Sequence, residues 1–204
     1  MRLALLLLAA VLLTGCNQVI SQKPMFTAAD QAALTLRPGL WRMDNPDCRV
    51  DERMPATLWP TCAVSLGVRG SEIVTIAGGK ADPDLNHTPW ILAAGDPMIL
   101  QLGRREPPHS SGKPSEPASY AYFGVTVAAT DRQGRIIALR GWPVACGPRT
   151  TAAAPDAPPL YPGLHAIDHD CTTDDVAALR NAASATLAQG PEIQPAHWVR
   201  DGYR

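Results

Sequence analysis

The clearest pattern along the chain is an alternation of apolar and polar side chains over residues 120–129. This two-residue period is typical of a half-buried β-strand. A turn at residues 131–134 and a second apolar run over residues 135–142 follow, so the pattern predicts a β-hairpin. One predicted face of the first strand contains Ala121, Phe123, Val125, Val127 and Ala129, and the other contains Tyr120, Tyr122, Thr126 and Ala128.

Shorter apolar runs between turn residues predict further strands in the first half of the chain. Two Pro-rich stretches, residues 104–119 and 148–162, are predicted to be exposed loops. The tail around Trp198 is expected to add one last short strand. The earlier predicted strands cover residues 39–43, 63–68, 72–77, 90–94 and 98–102.

A helical period predicts one α-helix near the C-terminus, ended by Gln-Gly-Pro at residues 189–191. Thr172 or Thr173 is its predicted N-cap, because two acidic residues follow at the positive end of the helix dipole. A capping box over residues 27–30 predicts two further helical turns over residues 31–36. The apolar positions of the C-terminal helix are Val176, Leu179, Ala183 and Leu187.

Together these elements predict a mainly β or α+β fold. The expected architecture is a small antiparallel meander sheet, sandwich- or barrel-like, with the C-terminal helix packed on it. No segment follows the β-α-β pattern of a parallel sheet, and no break in the pattern demands a second domain. We therefore expect residues 27–204 to form a single domain, a usual size for one hydrophobic core.

The N-terminus has the pattern of an export signal. Arg2 precedes an apolar run over residues 3–13, which is too short to span a bilayer comfortably, and the run ends in Leu13-Thr14-Gly15-Cys16. These last four residues resemble the lipobox of bacterial lipoproteins. The resemblance implies that residues 1–15 are a signal peptide that is removed, and that Cys16 becomes the first residue.

The lipoprotein resemblance also implies a covalent anchor and a location. Cys16 would carry a diacylglycerol group on its sulfur and an N-acyl chain on its amine, which hold a protein far more durably than one chain does. In enteric bacteria Asp after the Cys retains a lipoprotein in the inner membrane, so Asn17 favours the periplasmic face of the outer membrane. Residues 16–26 are expected to form the lipidated N-terminus and a polar tether.

Composition argues against a nucleic-acid-binding protein. The formal net charge is −1, from 18 basic and 19 acidic residues, so there is no basic field to attract phosphates. Only 18% of the residues are charged, while 20 are Pro and 16 are Gly. This balance favours short strands joined by long ordered loops over a helical bundle.

Besides Cys16 the chain has four cysteines, which predict two disulfides in an oxidising compartment. Four cysteines allow three pairings, of which the sequence-local one is Cys48–Cys62 with Cys146–Cys171. Each local pair joins a "Pro-Gly-Leu … Asp-Cys" arm to a "Trp-Pro … Cys" arm, and this repetition favours the local pairing. The cysteines lack the close C-x-x-C spacing of zinc sites.

The densest cluster of candidate ligand side chains lies at residues 165–170. On a helix, His165 and His169 would lie one turn apart, a spacing used for metals, and Asp168 would act as a ligand or a base. Because Pro162-Gly163 argues against a helix here, we interpret the stretch as a solvated loop before a disulfide. An envelope hydrolase or a metal-binding protein that uses His165, Asp168 and His169 is the alternative.

Five Trp residues against two Phe residues form an unusual ratio. Broad flat rings suit a sugar or a peptidoglycan fragment. The competing interpretation is that Trp59 and Trp142 fill the core beside the predicted disulfides. No G-x-S-x-G string marks a serine nucleophile.

The sequence thus predicts a lipid-anchored, periplasm-facing accessory or binding protein of the cell envelope. We expect no catalysis, and no cofactor besides the covalent lipid at Cys16. The expected partner is another envelope protein, with a small hydrophobic or sugar ligand as the second choice.

Overall fold

The structure is a computed structural model that describes residues 17–77, 80–81, 87–104, 119–148, 159–168, 170–190 and 193–202. The described residues form short strands and one α-helix, α1 (Val176–Ala188), which confirms the predicted mainly β fold. The strands are β1 (Ile20–Ser21), β2 (Gly39–Met43), β3 (Val64–Arg69), β4 (Glu72–Ala77), β5 (Lys80–Ala81), β6 (His87–Ala93), β7 (Met98–Arg104), β8 (Ser119–Thr130), β9 (Ile136–Pro143), β10 (His165–Ile167), β11 (Asp170–Thr172) and β12 (Gln194–Arg200).

Eight of these strands close into an antiparallel barrel. β2, β3, β4, β6, β7, β8 and β9 pair in chain order, and β12 closes the ring by pairing with both β9 and β2. The predicted meander is therefore confirmed as a closed barrel, and the predicted hairpin is β8–β9. β5 pairs with β4 and β1 pairs with β8, while β10 and β11 form a separate two-stranded hairpin.

Alternate residues of the barrel strands point inward and pack as one hydrophobic cluster, here called the lumen cluster. It contains residues of all eight barrel strands, so it lies on the inner face of the closed sheet. From the strands it includes Trp41, Met43, Leu66, Val68, Ile73, Trp90, Leu92, Met98, Leu100, Leu102, Val125, Val127, Ile136, Leu139, Ala196 and Trp198. The segment before β2 adds Ala32, Leu34 and Leu36.

The helix covers one outer face of the barrel. Its buried side is lined by small residues, which let the helix backbone approach the sheet closely, and Trp142 of β9 fills the space between them. The Trp142 indole N–H donates to the carbonyl of Ala183 at 3.1 Å. The N-cap of α1 is Asp175, not the predicted Thr172 or Thr173. Thr172 belongs to β11, and the Thr173 hydroxyl accepts a hydrogen bond from the Asp175 N–H.

A long excursion between β2 and β3 covers a second outer face. Residues 44–63 fold back over the outer side of β2 and β4, where Trp59, Cys48 and Ala63 pack against Leu40 and Ile76. Cys48–Cys62 closes this excursion, and Cys146–Cys171 links the end of β9 to β11. Both predicted disulfides are therefore confirmed.

Residues 17–26 are not the polar tether that we expected. Val19 is fully buried, Gln18 forms a bridge to Ala145, and β1 continues the barrel wall beside β8 where β9 ends. Backbone groups of this segment form hydrogen bonds with the chain on both of its sides. The Ser21 hydroxyl and the buried Tyr122 hydroxyl bond to each other. Burial raises the pKa of Tyr122, and the hydrogen bond to Ser21 opposes that rise.

Gln101 fixes the end of the same segment. From the outer face of β7 its Oε1 accepts the backbone N–H groups of Met25 and Phe26 at 2.9 and 3.0 Å, and its Nε2 donates to the Phe26 carbonyl. Gln101 is 3% exposed, so these hydrogen bonds are shielded from water. An unpaired backbone group is costly in such a buried place. The order of residues 17–26 thus follows from specific pairing that no apolar pattern reveals.

The two helical turns predicted over residues 31–36 are also wrong. The capping box of Thr27 and Asp30 exists, but it starts only a short 3-10 helix, Ala28–Asp30. Beyond it the chain is extended, because Gln31 pairs with Ala93 and Leu36 with Ile136. Tertiary pairing across the barrel therefore overrides the local helical signal.

In the described part of the chain no helix has the length and apolar character needed to cross a membrane. The predicted signal peptide and Cys16 lie outside the described residues.

Candidate functional site

The barrel lumen is the candidate functional site, and its lining is almost entirely aliphatic and aromatic. An eight-stranded barrel is at the size where side chains either fill the interior or leave room for one small ligand. The burial of the two faces of each strand distinguishes these alternatives, because a filled lumen makes the inner face the most buried part of the protein.

The lumen cluster is divided into a buried part and a half-buried part: ten of its residues are at most 7% exposed, whereas nine others keep accessible surface. On β7 the inner residues Met98, Leu100 and Leu102 are only half-buried, whereas the outer residues Ile99 and Gln101 are 0% and 3% exposed. On β8 the inner Phe123 is half-buried, while the outer Tyr122 is fully buried. Part of the apolar surface of the inner face therefore remains accessible, while the helix and the N-terminal segment bury the outer faces of β7 and β8.

One end of the barrel, here called the capped end, is covered by residues 31–37. This segment runs from the end of β6 to the start of β9, and its apolar side chains turn down into the lumen cluster. Arg37 completes the cap, since its guanidinium lies 3.5 Å from the centre of the Trp198 ring. The Arg37 carbonyl accepts from the Trp41 indole at 2.8 Å.

The opposite end, here called the mouth, is where β2, β4, β7 and β9 end and where β3, β6, β8 and β12 begin. Among the described residues, the lumen cluster takes every non-strand member from the capped end. Val64, which continues the inner face of β3 at the mouth, is 45% exposed. Within the described ranges, the apolar inner face therefore continues to an exposed residue at the mouth, whereas residues 31–37 cover the other end.

Among the described residues, Trp90 Nε1 inside the lumen and Arg37 Nε at its cap are buried polar atoms without a hydrogen-bond partner. The other four Trp indoles all donate to backbone carbonyls: Trp41 to Arg37, Trp59 to Met54, Trp142 to Ala183 and Trp198 to Pro38. Trp90 is 6% exposed, and its Nε1 finds no acceptor among the described residues. A buried N–H left without an acceptor costs about 1–3 kcal/mol, so an acceptor that reached this group would stabilise it.

The Trp residues thus fall into two groups, one that packs in the structural core and one that faces the candidate site. Trp59 packs with Cys48 of the first disulfide, in line with a structural role. Trp41, Trp90 and Trp198 face the lumen instead. Sequence alternation alone places Trp90 on the same face as Leu92, but only closure of the barrel shows that this face is interior.

The candidate ligand cluster near the second disulfide lies away from the lumen. His165 is exposed on β10, and Asp168 is exposed in the turn of the β10–β11 hairpin with φ of 49°. His169 lies outside the described residues. Within the described ranges, no group of three or more His, Cys, Asp or Glu side chains is arranged to hold a metal ion.

A polar cluster that no sequence pattern predicted lies on the outer wall. His197 on β12 has its Nδ1 2.9 Å from Asp44 and its Nε2 2.9 Å from Glu52, and Arg42 pairs with Glu52 at 2.7 Å. The two carboxylates contact opposite sides of the imidazole, so they do not converge on one point. These bonds attach the excursion between β2 and β3 to the barrel.

Comparison with protein-family models, with curated proteins and with solved structures found no match to this chain.

Proposed function

We propose that this protein is a lipid-anchored binding protein of the cell envelope that holds a small apolar molecule in the lumen of its barrel. The observation that carries the proposal is the accessible apolar surface inside the closed sheet, where nine side chains of the lumen cluster are only half-buried. Apolar pockets with one or two directed polar groups are the usual form of small-molecule sites. The role is one of binding, without catalysis.

The lining supports an apolar ligand over a sugar. A sugar would place many hydroxyl groups against aliphatic side chains, and each unpaired hydroxyl would cost free energy. A molecule with an apolar body and one acceptor oxygen would bury the exposed lumen surface and pair with the Trp90 indole N–H. The proposed ligand is therefore the small hydrophobic molecule, and not the sugar that the sequence also allowed.

Filling the lumen is expected to block binding. Leu139 and Arg140 are neighbours on β9, one in the lumen cluster and the other exposed on the outer wall. We expect Leu139→Trp to weaken binding of the fluorescent fatty acid cis-parinaric acid by tenfold or more, because the larger ring occupies the ligand's space. The matched Arg140→Trp should bind as the wild type does. Equal affinity of the two variants, with circular dichroism showing both folded, would refute the lumen as the site.

Trp90→Phe tests the polar contact while keeping an aromatic ring in the lumen. Loss of one hydrogen bond of about 1 kcal/mol predicts a roughly fivefold weaker affinity for cis-parinaric acid. The affinity for an apolar hydrocarbon of similar length, measured by displacement of the dye, should not change. A variant that loses both affinities equally would show that Trp90 contributes shape and not a hydrogen bond.

The anchor is tested at Cys16. Cys16→Ser is expected to abolish incorporation of labelled palmitate and either to release the protein from membranes or to leave its signal peptide uncleaved. Both effects follow because the sulfur that carries the diacylglycerol group is removed. Palmitate labelling equal to that of the wild type would contradict the anchor.

A further inference from the structure

The anchor and the lumen mouth lie at the same end of the molecule. The N–H of Val19 donates to the Val144 carbonyl and the N–H of Cys146 donates to the Asn17 carbonyl, each just beyond the end of β9 at the mouth. β1 pairs with the first residues of β8, which begins at the mouth. The chain therefore enters the fold at the rim of the mouth, directly after Cys16.

No slack separates that rim from the lipid-bearing position. The carbonyl of Asn17 already accepts a hydrogen bond from the fold, so only the Cys16–Asn17 peptide link intervenes. One residue spans at most about 3.6 Å, which is far less than the dimensions of a domain. An acyl group inserted in a bilayer at Cys16 would hold this end of the barrel at the lipid surface.

Exposed apolar side chains occur at the same end. Val64 is 45% exposed on β3, and Ile193, directly before β12, is 37% exposed. Leu187, 36% exposed, lies in the last turn of α1, where the adjacent Thr186 hydroxyl accepts from the Ala145 N–H beside the N-terminal segment. Two further exposed apolar side chains of the described residues, Met54 and Leu58, lie on the excursion between β2 and β3. The three at the anchored end favour contact with lipid.

We infer that the mouth of the barrel faces the bilayer to which the protein is anchored, and that the lumen takes up an amphiphile with an acyl-like tail from that bilayer. This inference rests on the proposed anchor and on the proposed lumen site. The amphiphile leaves the membrane with its apolar part entering the lumen, so the tail never crosses water. An oxygen acceptor near the start of the tail pairs with Trp90.

The orientation is tested with the lipidated full chain in phosphatidylcholine vesicles that contain a lipid with a spin-labelled headgroup. Ile193→Cys at the mouth and Gln133→Cys, in the turn after β8, each receive an environment-sensitive fluorophore. The twelve residues of β8 run between the two ends, and with the usual rise and tilt they separate the probes by roughly 30 Å. We expect several-fold stronger quenching at residue 193 than at residue 133.

A lengthened tether provides the matched control. Insertion of about ten Gly and Ser residues between Cys16 and Asn17 gives a reach of roughly 17 Å and should reduce the quenching at residue 193. Equal quenching at both probes, or no effect of the insert, would overturn the inference and leave the anchor and the lumen site standing. A chain that fails to associate with the vesicles would instead refute the anchor.

The source of the ligand is tested by the rate at which the same proteins take up cis-parinaric acid carried in the vesicles. The native tether should give uptake several-fold faster than the lengthened tether, whereas an insert of equal length after Gln133 should leave the rate unchanged. Equal rates for all three chains would show that the ligand reaches the lumen through water. That result would overturn the proposal that the ligand is taken up from the bilayer.

Discussion

Replacing Gly124 with Ala is expected to lower the free energy of unfolding by about 3 kcal/mol, at the upper end of the usual cost of overpacking. A Cβ atom at this position would lie 2.2 Å from Cε2 and 2.3 Å from Cζ2 of Trp142. The ring has no room to retreat, since it is fully buried and its N–H is bonded to the backbone of α1. The strain would therefore separate α1 from the barrel.

The matched variant is Gly141→Ala on the neighbouring strand. At Gly141 the nearest atoms to an added Cβ are 3.9 and 4.0 Å away, an ordinary contact distance. We expect Gly141→Ala to change stability by less than about 0.5 kcal/mol. Urea unfolding followed by Trp fluorescence measures both, and equal midpoints for the two variants would contradict the close packing of α1 on β8.

The second large effect is expected from removal of the Cys146–Cys171 disulfide. The bridge closes 25 residues, and both cysteines are almost fully buried, at 2% and 0% exposed. Replacing both with Ala is expected to cost roughly 3 kcal/mol in the chain-entropy account. The backbones of the two cysteines also donate to Asn17 and Gln18, so the N-terminal segment should loosen at the same time.

Hydrogen exchange distinguishes this bridge from the other one. In the Cys146→Ala/Cys171→Ala variant, amides of residues 18–21 should exchange faster, because the strand partner of Val19 is released. In the Cys48→Ala/Cys62→Ala variant these amides should keep their protection, since that bridge closes the excursion on the far wall of the barrel. The reverse pattern would show that the second disulfide does not hold the N-terminal segment.

The strands were predictable because their signals are local. Residues 39–43 and 72–77 were predicted with the observed bounds, and the alternation in residues 120–129 placed Val125 and Val127, which both line the lumen, on one face. The local pairing of the disulfides was predictable for the same reason, since each bridge closes a short loop. These are features in which neighbours along the chain carry most of the information.

The closure of the sheet and the role of the N-terminal segment were not predictable from those signals. Whether a meander closes depends on how β12 meets both β2 and β9, residues that are distant in sequence. Residues 17–26 contain few apolar positions, and their order comes from β1 and from the Gln101 side chain. The accessible lumen follows from closure, so the candidate site also lay beyond the sequence.

The C-terminal helix was predicted correctly, but its buried face was not. The expected stripe through Val176, Leu179, Ala183 and Leu187 includes an exposed Leu187 and misses the buried Ala178 and Ala182. Small residues carry little hydrophobic signal, yet they are the ones that admit Trp142 and Gly163 against the helix. A search for small residues at helical spacing would have placed the buried face correctly.

The central claim is that the barrel holds a small apolar molecule, and native mass spectrometry of the lipidated protein tests it most directly. The protein would be extracted gently from its own membranes, beside the Leu139→Trp variant prepared in the same way. We predict an added mass below about a thousand daltons, within the range one pocket encloses, that is present on the wild type and lost from the variant. A wild-type protein that carries no such mass, or one that both proteins carry equally, would contradict the account.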